Sequence, residues 1–160
     1  MEEKESQARA LLDKTNRQFN ECNALYHAAA QRCGLSDAAF WTLYALVMTC
    51  EPLTQNRIAA DWGIPKQTLN SAVRGMVEQG LVMLTPAPGC RHGKNLSLTE
   101  AGRALAEKTV AQVIRAEKCA MQRMGLERAR QNLALGAEYL HFLQEEFTQL
   151  KESQNKTENV

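Results

Sequence analysis

LTQNRIAADWGIPKQTLNSAVRGMVEQGLV, residues 53–82, is the stretch on which the reading of the whole chain turns. Two short amphipathic runs flank a Gly63-Ile64-Pro65 break. In the first run Thr54 holds an N-cap position, with Leu53 and Ile58 at hydrophobic-staple spacing. Ile58, Ala59 and Trp62 then fall on one side. Gly63 can enter the left-handed conformation that a tight helix-to-helix turn needs. Pro65 suits a first helical position, where its missing N–H is not needed. In the second run, at about 100° per residue, Pro65, Leu69, Ala72, Val73 and Met76 share one arc. Lys66, Gln67, Asn70, Ser71 and Arg74 share the opposite one, with Thr68 beside them. The spacing predicts a helix from Pro65 to about Gln79, closed by Gly80.

Outward from this pair, LVMLT reads as a strand, PAPGCRHGK as a turn-rich loop and NLSL as a returning strand. Leu96 and Leu98 alternate with Asn95 and Ser97, which gives one packed face and one wet face. A helix–turn–helix followed by a two-stranded hairpin is a winged helix. Upstream, residues 3–32 read as a long helix, with Leu11, Leu12, Phe19, Cys22, Leu25, Tyr26 and Ala29 at three- and four-residue steps. Gly34 ends it. Ser36 is the next N-cap, and residues 37–50 are apolar nearly all round, which predicts burial on most sides. Pro52 stops that element. Downstream, Thr99 caps a helix to about Met124, Gly125 breaks it, and a last amphipathic helix runs from about Leu126 to Leu150. Leu133, Leu140, Leu143 and Phe147 lie on one side of that helix, and the last ten residues read as a frayed polar tail. The expected fold class is mainly α with a small β-hairpin wing.

Composition narrows the function classes. The 160 residues carry a net charge of +1 and an ordinary hydrophobic content of 44%. No apolar run approaches the ~20 residues that span a bilayer, and the polar N-terminus lacks the apolar core of a secretion signal. The expected location is the cytoplasm, without a membrane partner. The cysteines are Cys22, Cys33, Cys50, Cys90 and Cys119, odd in number and widely spaced. They form no zinc-type cluster, and His27, His92 and His141 are equally scattered. No phosphate loop, nucleophile elbow or paired-carboxylate motif is present. The expectation is no metal, no cofactor and no enzymatic activity.

The outer arc of the second motif helix carries the functional reading. The major groove admits a helix. Asn and Gln bond adenine there, Arg and Lys bond guanine, and Ser bonds either. The bland alternative is a solvated face, but such a face usually mixes Glu with Lys, and this one has no acid before Glu78. Charge distribution agrees. Between Leu53 and Leu98 five basic residues stand against two acids, a net of +3, whereas from Glu138 onward five acids face two lysines, a net of −3.

The Ile58-Ala59-x-x-x-Gly63-Ile64 core, the Glu78-Gln79-Gly80-Leu81-Val82 helix exit and the Leu98-Thr99-Glu100-x-Gly102 helix start, taken together, resemble the multiple antibiotic resistance regulator (MarR) family. The resemblance covers roughly residues 10–150. It implies a single domain over 1–160, with dimerisation helices at 1–34 and 125–160. Between them would lie a winged helix–turn–helix core and linker helix over 36–123, with the wing at about 81–98. The family wing commonly reads Asp-x-Arg-x-x-x-Val-x-Leu-Thr. Registered on Leu98-Thr99, this chain has Cys90 for the Asp, His92 for the Arg and Leu96 for the Val. Either Arg91 and Lys94 replace the minor-groove arginine, because a narrow groove attracts flexible cations, or the wing touches phosphate alone.

On this reading the partners are double-stranded DNA, a second copy of the chain and a small aromatic ligand. Lys66, Gln67, Thr68, Asn70, Ser71 and Arg74 face the major groove. Arg91, His92 and Lys94 lie on the wing, and Gln55 and Arg57 hold backbone phosphates. The long apolar stripes of the first and last helices support a homodimer independently of the resemblance. Tyr26, His27, Phe40, Trp41 and Tyr44 are candidates to line a ligand pocket, although aromatics on a buried helix are more often core. Trp62 reads as packing alone. The protein would be a homodimeric repressor of a palindromic operator, released by ligand. Two alternatives stand beside it. Cys22-Asn23-Ala24-Leu25-Tyr26 resembles the sensing segment of the family's peroxide-responsive branch, with a shorter distance onward to Leu35-Ser36. A winged-helix adaptor without DNA is the other.

Overall fold

The computed structural model describes residues 2–49, 53–86 and 94–158, with side chains through residue 151. The sequence-based expectations on Cys50, Pro52, Cys90, Arg91 and His92 therefore lie outside the described residues. The chain forms two compact units, residues 1–114 and 115–160.

In the first unit, α1 (Glu2–Arg32) precedes α2 (Asp37–Thr49). Ser36 caps α2, its Oγ accepting from the Ala39 N–H at 3.3 Å. Because α2 is apolar on most sides it is sunk in the core, with Phe40, Thr42 and Leu43 wholly buried. Thr42 is the polar exception there, and its hydroxyl donates to the Ala38 carbonyl oxygen at 2.6 Å.

The next element departs from expectation. Leu53 and Thr54 form a short strand, β1, before α3 (Gln55–Asp61). With β2 (Val82–Pro86) and β3 (Lys94–Leu98) it makes a three-stranded antiparallel sheet of order β1-β3-β2, not the two-stranded hairpin expected. Leu53 pairs with Leu96, and Val82, Leu84 and Pro86 pair with Leu98, Leu96 and Lys94. A two-residue strand has too little alternation to show as a pattern; it exists because β3 offers a free edge. Thr54 also caps α3 as expected, its Oγ1 accepting from the Arg57 N–H at 3.3 Å.

α3 turns into α4 (Lys66–Glu78) through Gly63, whose φ of 59° is the left-handed value anticipated. Pro65 stands one position earlier than expected. It is the N-cap, with ψ at 132°, and its carbonyl accepts the first helical hydrogen bond from the Leu69 N–H at 3.0 Å. The fixed φ of proline serves either position. Leu69, Val73 and Met76 bury the inner side of α4 against α2 and α3.

The expected single helix from Thr99 to Met124 is two, α5 (Glu100–Lys108) and α6 (Val110–Met124). The break is Thr109, at φ −124° and ψ −95°. Its hydroxyl donates to the Leu105 carbonyl at 2.7 Å, the back-bonding by which a threonine competes with the helical ladder. The second unit is dominated by α7 (Leu126–Glu158), which continues through most of the tail expected to fray. That tail carries two Lys and two Glu and has no glycine or proline to stop a helix. On α7, Leu126, Leu133, Leu140 and Phe147 recur every seven residues and all are exposed, as are Leu135, Tyr139 and Phe142 on a second stripe. No helix among the described residues is long and apolar enough to cross a membrane.

The start of α5 explains one sequence signature. Thr99 accepts from the Gly102 N–H at 3.0 Å and donates to the Gly80 carbonyl at 2.6 Å. This draws α5 onto the exit of α4 so closely that a Cβ on Gly102 would run into the Leu81 carbonyl, its carbon at 2.9 Å, with Leu98 Cδ2 at 3.3 Å. Backbone cannot give way as a side-chain tip can. Gly102→Ala is therefore expected to destabilise the fold by about 1–3 kcal/mol, despite alanine's better helix propensity. A denaturant midpoint equal to or above the parent's would show that the junction relaxes freely.

Candidate nucleic-acid interface

The outer side of α4 is built by the burial of its inner side. With Leu69, Val73 and Met76 in the core, Lys66, Gln67, Thr68, Asn70, Ser71 and Arg74 are all exposed. Thirteen residues at about 1.5 Å each make a rod roughly 20 Å long, of a width that a major groove accepts.

α4 stands between two open clefts. One, of about 670 Å³, lies toward the sheet; Asn70, Arg74 and Glu78 of α4 face Thr54, Gln55, Asn56 and Lys94 over a floor of Val73, Val77 and Leu84. The other, of about 630 Å³, lies toward the start of α2; Gln67, Thr68 and Ser71 face Ser36 and Asp37. The polar residues of α4 thus divide between its two flanks rather than forming one row.

Several of these groups are already engaged. Arg74 Nε donates to Glu78 Oε1 at 3.1 Å, and Arg57 Nε lies 3.4 Å from Asp61. Ser71 Oγ donates to the Gln67 carbonyl at 3.1 Å, which leaves its lone pairs available as acceptors. Lys66 and Lys94 are exposed. Arg91 and His92 fall outside the described residues, so of the wing candidates Lys94, the first residue of β3, is the one given a position. Asn56 and Glu78 line the sheet-side cleft and were not singled out as site residues from sequence. In the sequence Asn56 is one polar residue of a short helix, and Glu78 is the acid that ends the outer arc.

The aromatic candidates do converge. Trp41 packs on Tyr26 (4.9 Å between centroids) and on Phe40 (5.2 Å), and it stacks on Trp62 (4.7 Å, 23° between planes). Tyr44 meets Trp62 edge-on at 5.2 Å. Phe40 and Tyr44 are buried, and Tyr26, Trp41 and Trp62 are half-buried. Trp62, read from sequence as packing alone, is the residue that ties α3 to this cluster. His27 stands apart as an exposed ring whose Nδ1 lies 2.9 Å from Asp37, linking α1 to the start of α2. Cys22 is an exposed free thiol. Among the described residues no group of three His, Cys, Asp or Glu side chains is placed to hold a metal ion.

A family model described as the MarR family matches residues 34–91, the segment that holds α2 to α4 with β1 and β2. In three dimensions the chain is similar to NMB1585, a MarR family regulator from Neisseria meningitidis, at 25% identity and a TM-score of 0.75, over 87% of this chain and 97% of that one. It is similar in fold to a MarR family regulator from Rhodococcus sp. RHA1 (23% identity, TM-score 0.58, 77% and 91% covered). The same holds for NadR, whose structure is a complex with 4-hydroxyphenylacetate (18% identity, TM-score 0.66, 79% and 90% covered). No curated protein matches the chain in sequence. Its helix–turn–helix is thus matched by the MarR family model and most of its length by the fold of a MarR family regulator, and the chain is similar to these winged helix–turn–helix transcriptional regulators.

Proposed function

We propose that the protein is a homodimeric repressor that binds a palindromic operator and releases it when a small aromatic molecule binds. The observation that carries the reading is the exposed side of α4. Every polar residue on it before Glu78 is a donor or acceptor type that reads base edges or grips phosphate. Lys66, Gln67, Thr68, Asn70, Ser71 and Arg74 would enter the major groove, while Gln55, Arg57, Lys94, Arg91 and His92 would follow the sugar–phosphate backbone on either side.

The dimer is supported by α1 and α7. Leu11, Phe19 and Leu25 on the first, and Leu133, Leu140 and Phe147 on the second, are each more than half exposed in the single chain. Apolar stripes of this length mark interaction surfaces, and the two stripes on α7 suit a helix that meets more than one partner helix. Residues 1–34 and 125–160 would then form the dimer, and residues 36–123 the DNA-binding part. The aromatic cluster around Trp41, with Tyr26, Phe40 and Tyr44 and with His27 at its margin, offers faces on which a planar ligand can stack. The fold shared with NadR, bound there to 4-hydroxyphenylacetate, makes an aromatic acid the first ligand to try.

Selection of bound duplexes from a random pool tests the reading directly, and the selected sequence should have two half-sites about one helical turn, ~34 Å, apart. Arg74→Ala should weaken binding to that duplex by about 1–3 kcal/mol if Arg74 reads a base. If Arg74 meets only phosphate, the loss should be similar on all sequences and the salt slope should fall by roughly one unit. Binding by the unaltered protein should fall with salt at a log–log slope of about −5 to −7, as expected for some ~6–8 neutralised phosphates per dimer; a flat response favours the adaptor. Replacing both Leu133 and Leu140 by Glu should convert a species of twice the chain mass to the single-chain mass and abolish operator binding. An unchanged mass in light scattering would remove α7 from the dimer.

A further inference from the structure

Glu78 is the last residue of α4 and its one acid. Its Oε1 accepts from Arg74 Nε at 3.1 Å. Helix energetics do not ask for this pair. A carboxylate in the last turn faces the negative end of the helix dipole, and an arginine four residues before a glutamate is the weaker order for such pairs. The side chains are 82% and 65% exposed, a setting in which ion pairs add little stability.

What the pair does have is direction. A guanidinium carries five N–H donors fixed in one plane. With Nε engaged by Glu78, the edge formed by Nη1 and Nη2 takes no part in that contact. Guanine presents O6 and N7 in the major groove and is read by two parallel donors, which that edge supplies. The carboxylate also lines the cleft shared by Asn70, Arg74 and Lys94. There it opposes the approach of a phosphate that a freely swinging arginine would grip on any sequence.

We propose that Glu78 is a positioning residue for sequence discrimination: it holds Arg74 end-on toward a base edge, and its charge weakens binding to unrelated DNA. This rests on the reading of Arg74 as a DNA contact. The test compares the duplex selected by the unaltered protein with a shuffled duplex of the same composition, for Glu78→Ala, Glu78→Gln, Arg74→Ala and the Arg74→Ala/Glu78→Ala double variant. Both positions are exposed, so all four chains should fold. Glu78→Ala should bind the shuffled duplex severalfold more tightly and reduce the ratio of selected to shuffled affinity by about tenfold. Glu78→Gln, which keeps an acceptor, should retain part of the ratio. In the Arg74→Ala background, Glu78→Ala should leave the ratio where Arg74→Ala put it, because the two act as a unit. An unchanged ratio for Glu78→Ala, or an equal loss in the presence and absence of Arg74, overturns the proposal while leaving Arg74 as a contact. If Arg74→Ala binds both duplexes like the unaltered protein, the reading of Arg74 fails and the role of Glu78 falls with it.

Discussion

The burial of Leu69, Val73 and Met76 against α2 and α3 is the constraint on which the rest of the first unit depends. A helix has one orientation about its axis that satisfies such a stripe. Once those three side chains are in the core, the rotation of α4 is set, and so is the identity of every residue on its outer side. The make-up of the outer face and core packing are therefore one choice. Any change that rotated α4 to expose different residues would also drag apolar surface into water, at ~25 cal/mol for each Å².

Two junctions keep that helix where its packing puts it. At its start, the Gly63 turn and the extended Pro65 aim the first turn of α4 away from α3. At its end, Thr99 bonds the Gly80 carbonyl while the bare Cα of Gly102 lets α5 lie against Leu81. Together with β1 pairing on β3, these contacts tie the sheet to both motif helices. The cleft that holds Asn70, Arg74 and Lys94 owes its walls to this bracing, since α4 supplies one side and the sheet the other. It is also where an acid, Glu78, has been admitted among cations, a combination that a site selected for affinity alone would avoid.

The aromatic cluster and the apolar stripes of α7 stand in a different relation to stability. Trp41, Tyr26 and Trp62 are only half-buried, though each has a large apolar face already packed against a neighbouring ring. Leu133 and Phe147 are more than half exposed. Surfaces of this kind leave hydrophobic free energy unrealised in the single chain. On the proposed reading a stacked ligand in the first case and a second copy in the second would realise it, and both would couple binding to the position of the helices involved.

The helices, their caps and the amphipathic division of α4 were legible because each rests on local physics: Thr54, Ser36 and Thr99 bond backbone within three residues, and the arcs of α4 follow from helical period alone. The motifs that resemble the MarR family were legible too, and the structure gives Gly102 its reason. The rest was decided at a distance. β1 exists only because β3 has an edge for Leu53 to pair with, and no two-residue pattern announces it. The break at Thr109 depends on a buried hydroxyl's choice of partner. Trp62 joins Trp41 and Tyr44, and Glu78 becomes part of a cleft rather than the end of a polar arc, because separate elements meet there. The sequence by itself determined which residues α4 presents on its outer side, since period and burial follow from local pattern. Tertiary structure alone decided how those residues divide between two clefts and which neighbour each one faces, since that depends on elements brought together from far apart in the chain.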